Sequence, residues 1–227
     1  SDDGFVWSAG FTVRMNPDGT NVEIVGHGFR NSYEQTINSL GETFQSDNDD
    51  YSSCRNSYVL EYGSAGYYSL DGQYKWQSEK RSGQSIPRAH WRQDNPGTFD
   101  TGDVYGAGGP TGVTFYENGA LGDKYKGLYL SCEATRNIVY GYFPKQQGAS
   151  YELKRFDFLS SHGHKSTEHS LWFRPSDVCI GPDGAIYVAD FYDPRSGGHA
   201  TLDPTASGAI YRIAPKNFKP VIPKLNL

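Results

Sequence analysis

Three times along the chain an apolar stretch runs into a glycine turn, a second apolar stretch follows, and that stretch ends on an acidic residue. The first copy covers 35–38, a turn at 39–42, and 43–47, ending at Asp47. The second covers 112–116, a longer turn, and 127–133, ending at Glu133. The third covers 176–180, the turn Gly181-Pro182-Asp183-Gly184, and 185–190, ending at Asp190. Alternation with a period of two marks half-buried strands, and Pro-Asp-Gly is a strong turn signal. Further strands are expected after each copy: 57–62 with 66–69, 137–143 with 151–156, and 208–213. The chain opens with one more pair, 5–14 and 21–25, across the turn Asn16-Pro17-Asp18-Gly19.

A four-stranded unit recurring every ~40–50 residues is the signature of propeller blades. The expected fold is therefore all-β, a β-propeller of about three and a half blades that forms an incomplete ring. In that reading residues 1–26 are half a blade, 27–75 a blade, 76–109 an insertion loop and 110–160 a blade. A loop at 161–173, a blade at 174–216 and a tail or linker at 217–227 complete it. A self-contained β-sandwich is the alternative.

Composition agrees with short strands and tight turns. There are 27 Gly, 12 Pro and 17 Tyr, and aromatics make up 15%, residues that suit turns and pleated surfaces. The net charge of −5 with no basic run argues against nucleic-acid binding. No apolar run approaches the ~18 residues of a membrane span. The start, Ser1 to Gly4, has no signal-peptide pattern, and a mature fragment or excised domain is expected. The cysteines, Cys54, Cys132 and Cys179, show no zinc or haem spacing. Cys179, in an alternating stretch, reads as a buried small hydrophobe.

Two loops could carry chemistry. Arg30 and Asn31 stand side by side where the chain turns into a strand; both present forked hydrogen bonds suited to a ligand rich in oxygen. The competing reading is a structural Arg that binds loop carbonyls. Asp47, Asp49 and Asp50 crowd three carboxylates into four residues, which calls for solvation or a hard cation such as Ca²⁺. His162, His164 and His169 lack regular metal spacing and read as a flexible insertion. The loop 190–199 follows a strand's acidic end. No phosphate-binding glycine loop and no G-x-S-x-G elbow occurs.

The ordered series Gly28-Phe29-Arg30-Asn31, Ser46-Asp47-Asn48-Asp49 and Gly63-Ser64-Ala65-Gly66-Tyr67 resembles the soluble pyrroloquinoline-quinone (PQQ) sugar dehydrogenases, six-bladed propellers. Further runs resemble the propeller of haem-binding membrane-bound dehydrogenase proteins of planctomycete-type bacteria. They include Gln84-Ser85-Ile86-Pro87, His90-Trp91-Arg92-Gln93, Gly109-Pro110-Thr111-Gly112 and Arg174-Pro175-Ser176-Asp177. The resemblance implies that Arg30 and Asn31 contact the quinone and that the loop with Asp49 and Asp50 holds its Ca²⁺. It implies a lysine near 133–136, where Arg136 stands instead, and two arginines before a strand. Arg174 matches one of these and Ser176 replaces the other. The family's histidine base comes from an earlier blade.

The resemblance thus implies a quinone-dependent oxidoreductase for a sugar or related alcohol, passing electrons to haem c on another domain or a cytochrome c partner. It also implies a periplasmic or extracellular setting, where a Cys54–Cys132 disulfide would persist. The alternative is a propeller that binds carbohydrate or another ligand without catalysis.

Overall fold

The computed structural model describes residues 6–49, 52–75, 79–161, 171–194 and 208–220. Two four-stranded antiparallel sheets form its centre. The first runs β3 (Ser32–Ile37), β4 (Thr43–Asp47), β5 (Cys54–Val59) and β7 (Asp103–Gly106). The second runs β8 (Pro110–Tyr116), β9 (Leu128–Glu133), β10 (Ile138–Tyr142) and β13 (Phe156–Ser160). On one side lie β1 (Gly10–Arg14) and β2 (Glu23–Phe29), with β6 (Gly63–Ser64) added in parallel to β2. On the other lie β14 (Pro175–Ile180), β15 (Ile186–Asp190) and β16 (Ala209–Ile213). The first strands of three successive sheets adjoin, β8 between β3 and β14. This is the arrangement of propeller blades around an axis.

Each inner strand pairs with the second strand in the same register. Ser32 opposes Asp47, Pro110 opposes Glu133 and Pro175 opposes Asp190, and a bulge follows each time. The acidic ends that recur in the sequence are thus placed identically in three blades.

β9 shows how one strand serves two interfaces. Leu128, Leu130 and Cys132 face a cluster with Val139, Phe173, Val178, Ile186 and Val188, which joins the second and third blades. Tyr129 points the other way, into a cluster with Phe44, Cys54, Tyr105, Val113 and Tyr142 that joins the first and second. Burying each such side chain contributes ~1.5–3 kcal/mol, so blade-to-blade packing dominates stability.

Two expected strands lie elsewhere. The fourth strand of the first blade is β7, not 66–69. After β5 the chain leaves the sheet before returning at β7, and Gly63 and Ser64 pair with Gly26 and His27 of the preceding sheet. The excursion carries α1 (Ile86–His90), capped by Ser85 with Pro near its start. In the second blade the fourth strand is β13, and Tyr151 instead belongs to a hairpin of β11 (Lys145–Gln147) and β12 (Ser150–Glu152).

The cysteines also depart from expectation. All three are free. Cys54 and Cys132 sit in the two different inter-blade clusters, on opposite faces of the second blade, so their thiols cannot meet. Cys179 is exposed, because its neighbour Val178 takes the core-facing side of β14.

Candidate functional site

The turns that lead into the inner strands and the turns that follow the second strands share one rim. There the acidic ends act as caps. Asp47 accepts the backbone N–H of Asn31 at 2.7 Å and of Arg30 at 3.3 Å. Glu133 accepts that of Gly109 at 2.6 Å, and Asp190 that of Arg174 at 2.7 Å. All three are buried. A buried amide without a partner is costly, so these carboxylates hold each blade's first turn in place.

The rim arginines tie loops together. Arg30 donates from Nη1 to the Asn48 carbonyl at 2.8 Å and to its Oδ1 at 3.0 Å. Asn48 in turn donates to the Gly108 carbonyl. Arg136 donates to the carbonyls of Tyr105 and Ala107 at 2.7–3.0 Å. Arg174, 5% exposed, donates to the carbonyls of Ala134, Thr135, Asp193 and Pro194. Arg30 and Asn31 border an open cleft of about 490 Å³, walled by the start of β3 and by β1. Arg174 does not line that cleft, although it lies at the corresponding turn of its own blade.

The carboxylates expected to hold a cation have other partners. Asp47 Oδ2 lies 3.3 Å from Arg55 Nη2, both side chains fully buried. The Arg55 guanidinium stacks 3.6 Å from the centre of the Trp91 ring and donates to the Ala65 carbonyl. Burial pushes the Asp47 carboxyl up and the Arg55 guanidinium down to about 10, each partly offset by the other's charge. Asp49 accepts the Ser52 N–H at 3.0 Å, and its Oδ1 lies 3.5 Å from Arg30 Nε and 3.8 Å from His90 Nε2. Burial pulls His90 down to about 4 against the pull of Asp49. The backbone carbonyl of Asp49 receives the Cys54 thiol, which burial pushes up to about 12.

Asp50 lies outside the described residues, as do His162, His164 and His169. No cluster of three metal-ligating side chains forms among the described residues.

This donor set does not fit the groups that the resemblance implies. The N–H groups of Arg174 point at main-chain carbonyls, and Arg136 is engaged in the same way, so neither is presented to a carboxylated quinone. Asp47 and Asp49 lie against guanidinium groups, where a hard cation would meet like charge. Arg30 and Asn31 border one open cleft, and Arg136 borders a separate one with Asn137, Ile138, Tyr140 and Asp157.

Sequence reasoning missed Arg55, and it named His90 and Trp91 only in a run that carries the resemblance, without a place in the site. The excursion brings His90 and Trp91 beneath the rim loop, and the Trp91 indole donates to the Ser53 carbonyl at 3.0 Å. A further local signal was Ser85 with Pro87, a helix start.

Known structures share this fold. A glucose dehydrogenase-type oxidoreductase from Thermus thermophilus is 16% identical, with a TM-score of 0.55 over 84% of this chain and 47% of that one. The soluble aldose sugar dehydrogenase of Escherichia coli, in its apo form, is 15% identical, with a TM-score of 0.55 over 88% of this chain and 50% of that one. The PQQ-bound aldose sugar dehydrogenase of Streptomyces coelicolor is 12% identical, with a TM-score of 0.56 over 88% and 50%. The chain spans about half the length of these enzymes. No curated protein matches the sequence. Residues 7–217, which take in all five described sheets and the rim, match the family described as Domain of unknown function (DUF7133), and the chain belongs to that family.

Proposed function

We propose that this chain forms the ligand-bearing arc of an oxidoreductase of the sugar-dehydrogenase type and takes a sugar or related alcohol in the cleft beside Arg30 and Asn31. The observation that carries this reading is the chemistry of that cleft. Among its lining residues Arg30, Asn31, Gln35 and Ser32 carry a guanidinium, two side-chain amides and a hydroxyl. Such groups donate to and accept from a polyol in alternation. The redox group and the electron acceptor, a haem c domain or cytochrome partner, belong to other parts of a longer protein in the periplasm or outside the cell. No helix among the described residues is long and apolar enough to cross a membrane.

The engagement of Arg136 and Arg174 by carbonyls favours a second reading, a carbohydrate-binding propeller without catalysis. Dye reduction with a panel of aldoses and polyols, with and without added PQQ, separates the two when run on the full-length protein beside calorimetry. Turnover that falls with Arg30→Ala supports the first reading. Binding that falls with Arg30→Ala, without turnover in the wild type, supports the second. Neither turnover nor binding overturns both.

A further inference from the structure

Two cross-strand pairs meet where the first blade packs on the second. Asn56 of β5 stands opposite Asp103, the first residue of β7, and Tyr129 of β9 stands opposite Tyr142 of β10. Their side chains bond in a zigzag between the blades. The Tyr129 hydroxyl donates to Asn56 Oδ1 at 2.8 Å. Asn56 Nδ2 donates to the Tyr142 oxygen at 3.0 Å, and the Tyr142 hydroxyl donates to Asp103 Oδ2 at 3.0 Å. Arg155, just before β13 in the second blade, closes the series from the surface, with Nη1 2.9 Å from both Asp103 oxygens. The three inner donors all point toward Asp103, whose carboxylate can only accept. Tyr129, Asn56 and Tyr142 are fully buried, and hydrogen bonds in series polarise one another in such surroundings.

The remainder of this interface is the apolar cluster around Phe44 and Val113, and apolar packing has no direction. A small slip of one blade past the other would keep most of that packing but would part each of these donors from its acceptor. The series also has a far end. Beyond Gly106, the last residue of β7, the Gly108 carbonyl accepts Asn48 Nδ2 at 3.0 Å. Asn48 in turn accepts Arg30 Nη1 through its carbonyl and its Oδ1. Bonded contacts joined by one short strand thus lead from Arg155 on the outside to Arg30 at the cleft.

We propose that Tyr129, Asn56, Tyr142, Asp103 and Arg155 form a latch that fixes β7 on the second blade, and that through Gly108 and Asn48 this latch sets where Arg30 stands in the cleft. What Arg30 does for a ligand rests on the reading above; the latch does not. Arg155 is a positioning residue here, since it acts on the cleft only through β7.

Amide exchange and nitrogen-15 NMR of the whole chain, with no ligand added, test the latch in Tyr142→Phe, Arg155→Gln and Arg155→Lys. Lys154→Gln is the control, because Lys154 pairs only with Glu152 at the surface. Exchange at Val104 and Tyr105 of β7 should speed up about tenfold in Tyr142→Phe and Arg155→Gln, the size of one lost hydrogen bond. Leu130 and Val139, in the middle of the second blade, should stay within about twofold of wild type. The Arg30 Nε–H signal should shift in the same two variants. Arg155→Lys, which keeps a charge beside Asp103, should restore most of the protection. Exchange that rises equally in both blades, or not at all in β7, would overturn the latch. Loosening of β7 with an unmoved Arg30 signal would overturn its link to the cleft. Should Tyr142→Phe fail to fold, the partly exposed Arg155 variants decide. Failure of the chain to bind a sugar would leave all these readouts intact, so the two readings fail separately.

Discussion

Replacing Asp47 by Asn removes the carboxylate in contact with Arg55, leaving it only the weaker pull of Asp100. The guanidinium is fully buried, sandwiched between the Asp47 carboxylate at 3.3 Å and the Trp91 ring at 3.6 Å. Asn also offers a single acceptor where the carboxylate serves two rim amides and the guanidinium. Removing one member of a buried pair typically costs ~3–5 kcal/mol. In a chain of this length each kcal/mol lowers the midpoint by ~2–4 °C, so the expected loss is about 6–20 °C. Circular dichroism melts, run with and without a calcium chelator, measure it. Because burial moves both partners toward neutrality, the pair itself is a weak net stabiliser, and Asp47→Leu with Arg55→Met should recover part of the loss. A midpoint within about 2 °C of wild type would refute the account. So would a loss that appears only when calcium is present, since that would return the carboxylate to a metal.

Arg174→Lys should destabilise by ~2–3 kcal/mol in urea titrations, because an ammonium cannot reach four carbonyls in the plane that a guanidinium spans; an unchanged midpoint would show that the loop contacts carry little. Gly66→Ala should be worse tolerated than Gly41→Ala. Both have positive φ, but a Cβ on Gly66 would lie 2.1 Å from the Trp91 carbonyl, whereas Gly41 has nothing within 4 Å. Equal melting points for the two variants would contradict this. With iodoacetamide the native protein should label at Cys179 alone and take up the other two labels only on unfolding, which mass spectrometry reads directly.

The parts of the fold visible in the sequence are those fixed by neighbours. The turns at Gly41, Gly127 and Gly184, all with positive φ, and the alternation around them placed the inner and second strands. Fourth strands were not visible, because 66–69 and 151–156 alternate as convincingly as β7 and β13 do, and only packing decides which of them pairs. At the rim, Arg30 and Arg174 could be seen to start inner strands. The work of Asp47 could not be seen, since an acid at a strand end looks the same whether it faces a metal ion, an arginine or an amide. Arg55 and Trp91 lie far apart in sequence, and no local pattern announces their stacking. The faces that separate Cys54 from Cys132 were hidden for a related reason: both end or begin strands at one rim, but the pleat turns them to opposite sides of a blade.

The excursion between β5 and β7 has a kinetic consequence. In the second blade 13 residues separate the third and fourth strands, and in the first blade 43 do. Closing the longer loop costs about 1 kcal/mol more in chain entropy, and it must be met before β7 can dock. The second blade, with its local connections, can therefore zip up while the first is still three strands wide. Trp91, which underpins the Arg55–Asp47 pair, arrives with that late segment. The corner holding Arg30 and Asn31 is thus among the last parts of the chain to become rigid, and amide exchange should find it among the first to open.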